Sequence, residues 1–444
     1  MTGRPVVLVP HGYRSIPPLQ LAAAATDVCD LVWLVRGSDP ELASVGRLLG
    51  RLGPVVDIDG LGADQTATAL SQYHPGAVVA FRDQDLVPMA ALAERLGLDF
   101  HAPIVAQRLA DKVDQRQALR AGGVPVPSWW ELPSRRDRVA VAAVAAEVTY
   151  PAVVKPRQGS GSWHTFPVAD ATDLVTVLAG LDDTDEAMMV EQYLPSAAGA
   201  DRQRFADYVS VETLGTSTGL RHVAVTGRLH PVPPFRETGF FVPSDLGPDD
   251  MESVLASATD SLAALGVRSG CVHTEIKLTP DGPRVIEVNG RLGGGIRDMV
   301  SAAAGVDLLA LYLRCSLGQP VELGGPARCD AVGYRLFYHP PVSARRVRSI
   351  GGLGKVGLLP GVDEVSLHLS PGDPIDAAQG SRSFVFSVVG SADDPAGVAE
   401  TNRRMYELAD VTYDHVTSEH GTDEHGSYDH VTDDRIVDPA RATA

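Results

Sequence analysis

The 444-residue sequence is short of basic charge: it holds 38 Lys plus Arg against 56 Asp plus Glu, a formal net charge of −18. Binding to nucleic-acid phosphates requires a basic surface, so this composition argues against a nucleic-acid-binding protein. Only four of the basic residues are lysines, namely Lys112, Lys155, Lys277 and Lys355. Because arginine is the usual cation here, each lysine is a candidate for a site that requires a compact ammonium group.

The sequence also has few cysteines and no long apolar run. Its four cysteines, Cys29, Cys271, Cys315 and Cys329, form no C-x-x-C pair and no Cys/His spacing typical of zinc sites. The N-terminus lacks the apolar core of a signal peptide, and no stretch approaches the roughly 18 apolar residues of a membrane helix. We therefore expect reduced thiols and a soluble, cytoplasmic protein that binds no membrane.

The length and the patterning predict several domains. Short β-branched runs, of which Val6–Pro10 is the first, alternate with helix-like segments over residues 1–103, which is typical of a parallel α/β domain. Longer strands and glycine-rich turns from Tyr150 to about Gly325 favour an α+β region, which belongs to a second domain at 104–325. Residues 326–411 form a further α+β block. Residues 412–444 are acidic and rich in histidine, and we expect this tail to be disordered.

Helical periodicity extends over residues 107–121 and ends at Gly122-Gly123, which predicts one helix with a glycine stop. Further on, Lys155 closes the predicted strand Ala152–Lys155 and precedes a loop of small residues. The loop contains Gly159, Ser160, Gly161 and Ser162. Backbone N–H groups of such a loop can approach phosphate oxygens without obstruction by Cβ atoms. The alternative is a β-hairpin with an incidental lysine, and no Walker loop occurs in the sequence.

A second motif places acidic groups on two neighbouring predicted strands, which a Pro280-Asp281-Gly282 turn connects. Alternation puts two sets of side chains on common faces, His273, Glu275 and Lys277 on the first strand and Glu287, Asn289 and Arg291 on the second. The two carboxylates would repel each other on adjacent strands without a cation between them. Together with the carboxamide they suit Mg²⁺, which takes few protein oxygens plus phosphate oxygens. The alternative is a solvent-facing hairpin with alternating charge.

A third motif is the apolar run at 188–190, which leads into Glu191, Gln192, Tyr193 and Leu194. An apolar strand that ends in a carboxylate and continues as extended chain is similar to a hinge whose main-chain groups recognise the edge of adenine. Taken alone it is also common in ordinary strands.

These three motifs, in this order, resemble the ATP-grasp superfamily over about residues 105–300. The resemblance implies an ATP-grasp fold with a Rossmann-like N-terminal domain, a mobile lid subdomain at about 125–195, and a β-rich C-terminal domain. It also implies that ATP and Mg²⁺ (or Mn²⁺) are bound. The loop at 158–165 would then close over the phosphates.

The resemblance assigns roles to residues of this sequence. The implied nucleotide-binding residues are Lys112, Lys155, Gly159, Ser160, Gly161, Ser162, Glu191, Gln192, Tyr193 and Leu194. The implied metal ligands are Glu275, Glu287 and Asn289. Arg291, Lys155 and Glu287 form the implied catalytic set, in which Arg291 steadies an acyl phosphate.

Within the superfamily, H-T-E-I-K followed by I-E-V-N-x-R-x-G-G-G looks most like the carboxylate–amine ligases, including the L-amino-acid ligase and carnosine synthase branch. Those ligases also carry an acidic residue before a "gh-x-x-P" element. The stretch from Glu237 to Pro243 is similar to that pattern, with Phe240 at the position where some relatives have histidine. The implied substrate-binding residues are Glu237, Arg291, Gly294 and Gly295. Glycine at 295 is expected to leave room beside Arg291 for a bulky second substrate.

The predicted function is therefore an ATP-dependent carboxylate–amine ligase that forms an amide bond through an acyl phosphate and releases ADP and phosphate. Its partners would be a small-molecule carboxylate, such as an amino acid, and an amine, and a homodimer is compatible with the resemblance. Two alternatives stay open: a biotin-carboxylase-like or purine-type ATP-grasp ligase, and a non-catalytic nucleotide-binding protein.

Overall fold

The computed structural model describes residues 3–181, 186–197, 204–323 and 325–415. From position 416 onward, the predicted polar tail lies outside the described residues. The described residues form a mixture of helices, one parallel sheet and several antiparallel sheets, in agreement with the predicted α/β and α+β class.

The chain begins with four parallel strands and their connecting helices. These elements are β1 (Val6–Pro10), α1 (Pro18–Ala25), β2 (Asp30–Val35), α2 (Leu42–Leu52), β3 (Val55–Asp57), α3 (Ala63–Leu70), β4 (Pro75–Val78) and α4 (Asp83–Leu96). The strand order is β3-β2-β1-β4, with parallel neighbours. Val7, Leu8 and Val9 are buried, as expected for a parallel strand that is covered on both faces. The predicted parallel sheet at the N-terminus is confirmed, and its last helix begins at Asp83.

The single helix predicted over residues 107–121 is wrong, because the structure has two helices there, α5 (Pro103–Ala110) and α6 (Lys112–Ala121). The break lies at Asp111, whose backbone is extended and whose carboxylate accepts two backbone N–H groups from the first turn of α6. Such a cap satisfies N–H groups that have no partner within the helix. Apolar periodicity continues through the break, so the pattern could not reveal it. The break places Lys112 at the first position of α6.

A small antiparallel sheet with two helices follows. Its elements are β5 (Trp129–Leu132), α7 (Arg138–Glu147), β6 (Ala152–Pro156), β7 (Phe166–Val168), α8 (Ala171–Gly180) and β8 (Met188–Gln192), and the strand order is β5-β8-β6-β7. The two helices cover one face through a hydrophobic cluster that includes Val141, Val154 and Leu174. This unit lies within the predicted lid subdomain at 125–195, and the glycine loop connects β6 to β7.

The remaining elements belong mainly to one large antiparallel sheet. They are β9 (Tyr208–Thr216), β10 (Gly219–Arg228), β11 (Gly239–Val242), α9 (Pro248–Leu265), β12 (Cys271–Thr279), β13 (Gly282–Asn289), α10 (Ile296–Ala304), α11 (Leu308–Ser316), β14 (Val332–Tyr338), β15 (Ala344–Gly351), α12 (Leu353–Val356), β16 (Val362–Leu367), β17 (Phe386–Ala392), α13 (Pro395–Leu408) and β18 (Asp410–His415). The strand order is β13-β12-β9-β10-β11-β14-β17-β16, and β15 pairs separately with β18.

This sheet crosses the domain boundary that was predicted between residues 325 and 326. Strand β11 lies before the boundary and β14 after it, yet they pair directly, with Gly239 opposite Leu336. The C-terminal region therefore continues the sheet of the preceding domain. Sequence patterns identify strands, but the choice of a neighbouring strand depends on tertiary packing.

The predicted start of the polar tail at residue 412 is also wrong. Strand β18 runs to His415 and pairs with β15, with Tyr413 opposite Val347. Tyr413 is buried and belongs to the same hydrophobic cluster as Val347 and Met405. The polar composition of residues 412–415 concealed an alternating pattern in which Val411 and Tyr413 face the cluster.

No single helix among the described residues has both the length and the apolar composition to cross a membrane. Helices α10 and α11 meet these conditions only as a pair, and the pair bends by 109° at its break. Residues of both helices, including Met299, Leu309 and Tyr312, are buried in a hydrophobic cluster that they share with the first sheet.

Candidate active site

The candidate site is centred on the hairpin of β12 and β13. In its register Glu275 lies directly opposite Glu287, and His273 lies opposite Asn289. Like charges at facing positions of a sheet destabilise it unless cations compensate them. Each carboxylate has a cationic neighbour, because His273 Nε2 lies 3.2 Å from Glu275 Oε1 and Lys112 Nζ lies 2.9 Å from Glu287 Oε1. The structure thus brings together the three residues implied as metal ligands.

The donor set of this hairpin fits a hard divalent cation. Carboxylate and carboxamide oxygens are the ligands that Mg²⁺ prefers in proteins. Asn289 is buried on β13, opposite His273. Among the described residues, no group of three or more His, Cys, Asp or Glu side chains could hold a metal ion. A cation between Glu275 and Glu287 would therefore depend on the Asn289 carboxamide and on oxygens from a bound substrate.

A buried glutamate on β9, Glu212, supports the hairpin from behind. Its Oε1 atom accepts a hydrogen bond from His273 Nδ1 at 2.5 Å, and its Oε2 atom accepts one from the Gly293 backbone N–H at 3.4 Å. Burial opposes protonation of His273, but the charge of Glu212 and the hydrogen bonds to Glu212 and Glu275 outweigh it and raise the pKa of His273 to about 9. His273 is therefore a cation that links two carboxylates.

Sequence reasoning missed Glu212, because its partner His273 is 61 residues away. The available signal was a carboxylate among the apolar residues Val209, Val211 and Leu214 of β9, where an unpaired buried charge would be costly.

The acidity of Glu275 follows from the same contacts. Burial alone would raise the pKa of its carboxyl, but the hydrogen bond and charge of His273 and the charges of Arg228 and Arg291 lower the pKa well below its usual range. Glu275 is therefore ionised at neutral pH, as a metal ligand must be.

The three glycines after the hairpin have different surroundings. A Cβ atom on Gly293 would lie 2.5 Å from His273 Nδ1, so glycine is required there for the histidine to fit. Gly294 has open space around it, whereas a Cβ atom on Gly295 would lie 2.7 Å from Arg335 Cδ. The expectation that Gly295 leaves room beside Arg291 is therefore wrong, because the neighbouring arginine is Arg335.

A buried ion triad connects the small sheet to the large one. Lys155 Nζ pairs with Glu191 Oε1, and Arg116 Nη2 lies 3.1 Å from Glu191 Oε2. Arg116 also donates a hydrogen bond to the Ile286 carbonyl on β13 at 2.5 Å. Burial alone would raise the pKa of Glu191, but the charges of Arg116 and Lys155 outweigh it and lower the pKa. Arg116 was not identified from the sequence, whereas the two implied nucleotide-binding residues Lys155 and Glu191 contact each other.

The rest of the implied adenine hinge continues from β8. The backbone N–H groups of Gln192 and Tyr193 donate hydrogen bonds to the carbonyls of Ser128 and Pro151, at 2.9 Å and 3.0 Å. These two donors are therefore occupied by protein groups, and Leu194 follows them at the end of the stretch.

The glycine loop approaches the hairpin through Lys112, which donates a hydrogen bond to the Gly159 carbonyl at 2.8 Å. The loop backbone is left-handed at Gly161 (φ 69°) and also at Ser162 (φ 56°). A non-glycine residue in this region is strained, and such strain is common in ligand-binding loops. Lys112 thus lies between the loop and Glu287.

The N-terminal domain contributes Asp83 to the site. Arg291 forms a two-pronged ion pair with it, with Nε 3.0 Å from Oδ1 and Nη2 3.1 Å from Oδ2. Burial alone would raise the pKa of Asp83, but the charge and hydrogen bonds of Arg291 outweigh it and lower the pKa. Sequence analysis did not assign Asp83, although it follows the fourth parallel strand, at the sheet edge where α/β domains place ligand-binding loops.

A further polar pocket surrounds Glu237. Its Oε1 atom lies 3.4 Å from Arg228 Nε and 3.4 Å from the Tyr208 hydroxyl, which donates a hydrogen bond to it. Burial raises the pKa of Glu237, and the nearby Glu275 carboxylate adds to this effect against the opposing charge of Arg228. The Arg228 guanidinium lies 4.2 Å from the centre of the Phe240 ring. Phe240 therefore supports this arginine by a cation–π contact.

Parts of this chain are similar to known proteins. Residues 148–299 match the family model of the ATP-grasp domain. Carnosine synthase 1 of Gallus gallus is 31% identical over 269 residues, which is 56% of this chain and 28% of that protein. Alanine–anticapsin ligase of Bacillus subtilis (strain 168) is 23% identical over 266 residues, which is 56% of each chain. An L-amino acid ligase from Bacillus licheniformis superposes with a TM-score of 0.73 at 19% identity, over 93% of this chain and 100% of that chain.

Residues 148–299 therefore match an ATP-grasp domain, and the resemblance to the ATP-grasp superfamily stated from the sequence motifs is confirmed. Within that superfamily its similarities include carboxylate–amine ligases. The chain spans about half or less of the length of the curated relatives that it matches.

Proposed function

We propose that this protein is an ATP-dependent carboxylate–amine ligase that joins a small-molecule carboxylate, such as that of an amino acid, to an amine. The amide bond forms through an acyl phosphate, with release of ADP and phosphate. The observation that carries the proposal is the facing pair of Glu275 and Glu287 with Asn289 beside it, flanked by Lys112 and Arg291. The named activities of carnosine synthase and alanine–anticapsin ligase support it.

In this proposal Lys112 and Lys155 bind the phosphates of ATP. Lys112 is placed for this role because its Nζ atom already lies between the glycine loop and Glu287. Lys155 lies at the end of β6, where the loop begins, and Glu191 holds its ammonium in place. Main-chain groups at Leu194 read the adenine, since the preceding two N–H groups are occupied.

Glu275, Glu287 and Asn289 hold Mg²⁺ (or Mn²⁺) in this proposal. When bound, the ion neutralises negative charge on the transferring phosphate. The chain contributes orientation: Glu212 holds His273, and His273 in turn holds Glu275. Such contacts behind a ligand fix the position of its carboxylate.

The chemistry has two steps. A carboxylate oxygen of the first substrate attacks the γ-phosphorus of ATP, and the bond from phosphorus to ADP breaks. After the ammonium form of the amine gives one proton to Glu237, the amine nitrogen attacks the carbonyl carbon. The carbon–oxygen bond to phosphate then breaks, and the departing phosphate takes up the second proton from the nitrogen. Arg291, held by Asp83, binds the phosphate that leaves. Glu237 binds the ammonium form of the amine, and its raised pKa suits a carboxylate that accepts the proton.

The test is phosphate release from ATP and Mg²⁺, screened over single amino acids and pairs, with mass spectrometry of the products. We expect release to require both substrates and the product mass to equal their sum minus water. Glu287→Gln should abolish turnover, whereas Glu400→Gln, which changes an exposed acid on α13, should leave it unchanged.

Other outcomes would contradict the proposal. Release that depends on bicarbonate would favour the carboxylase alternative. ATP binding without release across the whole panel would favour a non-catalytic nucleotide-binding protein.

A further inference from the structure

A short segment of the C-terminal region, Ala377–Arg382, lies against the glycine loop. It is a 3₁₀-helical turn between β16 and β17, and its backbone changes direction at Gly380 (φ 61°, ψ −139°). More than 200 residues separate it from the loop in sequence, since Arg382 and Ser160 are 222 positions apart. Its contacts therefore depend on the tertiary structure.

Backbone and side-chain groups of the segment hold the loop at three points. The His164 N–H donates to the Ala378 carbonyl at 3.0 Å, and the Ser381 N–H donates to the Gly161 carbonyl at 2.9 Å. Arg382 Nη2 donates to the Ser160 carbonyl at 2.8 Å and also lies 3.2 Å from the Ser160 hydroxyl. These bonds run along the loop that is proposed to cover the phosphates of ATP.

Close approach at Gly380 makes this contact possible. A Cβ atom at Gly380 would lie 2.4 Å from the Gly161 carbonyl oxygen and 2.5 Å from the Ser162 carbonyl oxygen. Both neighbours are backbone atoms, so a side chain at this position would push the loop away from the segment. The positive φ of Gly380 adds a second reason for glycine.

The same segment also touches the Glu237 pocket. The Glu237 N–H donates a hydrogen bond to Ser381 Oγ at 3.0 Å, and His339 Nε2 donates one to the Glu237 carbonyl at 2.8 Å. Ser381 therefore contacts the loop through its backbone and Glu237 through its side chain. One residue thus connects the proposed ATP-phosphate loop to the proposed amine pocket.

We propose that Ala377–Arg382 is the docking segment of the glycine loop, that Arg382 is a positioning residue which holds the loop closed, and that Ser381 connects this closure to the Glu237 pocket. The docking contacts are present in the chain itself. Only the identity of what the closed loop covers, and of what Glu237 binds, rests on the proposed function.

Hydrogen exchange of the full chain tests the docking without any ligation chemistry. The amides of His164 and Ser381 donate across the contact, so they exchange only when it opens. We expect Arg382→Ala and Gly380→Ala to speed exchange in peptides containing these amides by about tenfold or more, because two charge-assisted hydrogen bonds or the close approach are lost. The matched controls are Arg404→Ala, an exposed arginine on α13, and Gly354→Ala, which has open space around it. Exchange that is equal in all four variants and the wild type would overturn the proposal.

The coupling of ATP hydrolysis to amide formation is measured as the phosphate released per amide bond formed. We expect Arg382→Ala to raise this ratio several-fold, because an open loop lets water reach the acyl phosphate, and Arg382→Lys to restore part of the coupling. Ser381→Ala should keep protection of the loop amides but weaken the apparent affinity for the amine. Unchanged coupling and amine affinity in these variants would refute the link to Glu237. Altered exchange in a chain that ligates nothing would contradict the proposed function alone and leave the docking contact supported.

Discussion

Replacement of Glu191 by glutamine should destabilise the protein strongly, although the shape of the side chain is retained. Glu191 and Lys155 are each 8% exposed and Arg116 is 1% exposed, so the two cations have little access to water. At 3.1 Å, the distance from Arg116 to Glu191, the attraction is about 5 kcal/mol for an effective dielectric constant of about 20. Removing one partner of a buried pair leaves an uncompensated charge, and this costs about 3–5 kcal/mol.

The loss of stability in Glu191→Gln should arise at the connection between the small sheet and the large sheet. Glu191 is on β8 in the small sheet, whereas Arg116 on α6 also bonds to β13 in the large sheet. Without the carboxylate, burial and the charge of Arg116 favour the neutral form of Lys155, which weakens its ability to bind phosphate. We therefore expect both lower stability and weaker binding of ATP in Glu191→Gln.

The assay is urea denaturation of wild type and variant at pH 7, followed by calorimetric titration with ATP. The matched control is Glu131→Gln, because Glu131 is 42% exposed and forms an ion pair with Arg157 at 3.3 Å. An exposed pair contributes about 0–1 kcal/mol, so the control should denature almost like the wild type. Equal unfolding free energies for Glu191→Gln and Glu131→Gln would mean that the triad is not a buried ionic connection.

Three further predictions concern other parts of the molecule. Glu287→Gln should abolish phosphate release while circular dichroism still shows a folded chain; an active variant would remove Glu287 from the metal site. Burial lowers the pKa of His101 to about 4, whereas in the unfolded chain the histidine has a pKa of about 6.5. The unfolded chain therefore takes up a proton at a higher pH than the folded chain. The free energy of unfolding should fall by up to about 3 kcal/mol as the pH drops from about 6.5 to about 4. His101→Leu should flatten that pH dependence in denaturation curves, and an unchanged slope would argue against a neutral, buried histidine. Deletion of residues 410–444 removes β18 and should lower the melting temperature, whereas deletion of residues 416–444 should leave it nearly unchanged; equal melting temperatures for the two would mean that β18 adds no stability.

Much of the site was readable from the sequence because its signals are local. Alternation along β12 and β13 placed Glu275 and Glu287 on faces that meet, since side chains of a strand change face at every residue. The lysine at the end of β6 and the small residues after it likewise lie within ten positions of one another. Apolar runs identified the parallel strands of the N-terminal domain for the same reason.

Some local features were still hidden. The cap at Asp111 interrupts a helix whose apolar periodicity continues, so hydrogen bonding rather than patterning determines the break. In the same way, the polar residues around Tyr413 concealed a strand that is held by its neighbour β15.

The class of the fold and the residues of the central hairpin follow from local patterns, because propensity and periodicity act over a few neighbouring positions. The partners of those residues depend on tertiary packing: Glu212 contacts His273, Asp83 pairs with Arg291, and Arg382 binds the glycine loop. These pairs are separated by 61, 208 and 222 positions. Contacts at such separations arise from the packing of whole elements, which no local pattern encodes.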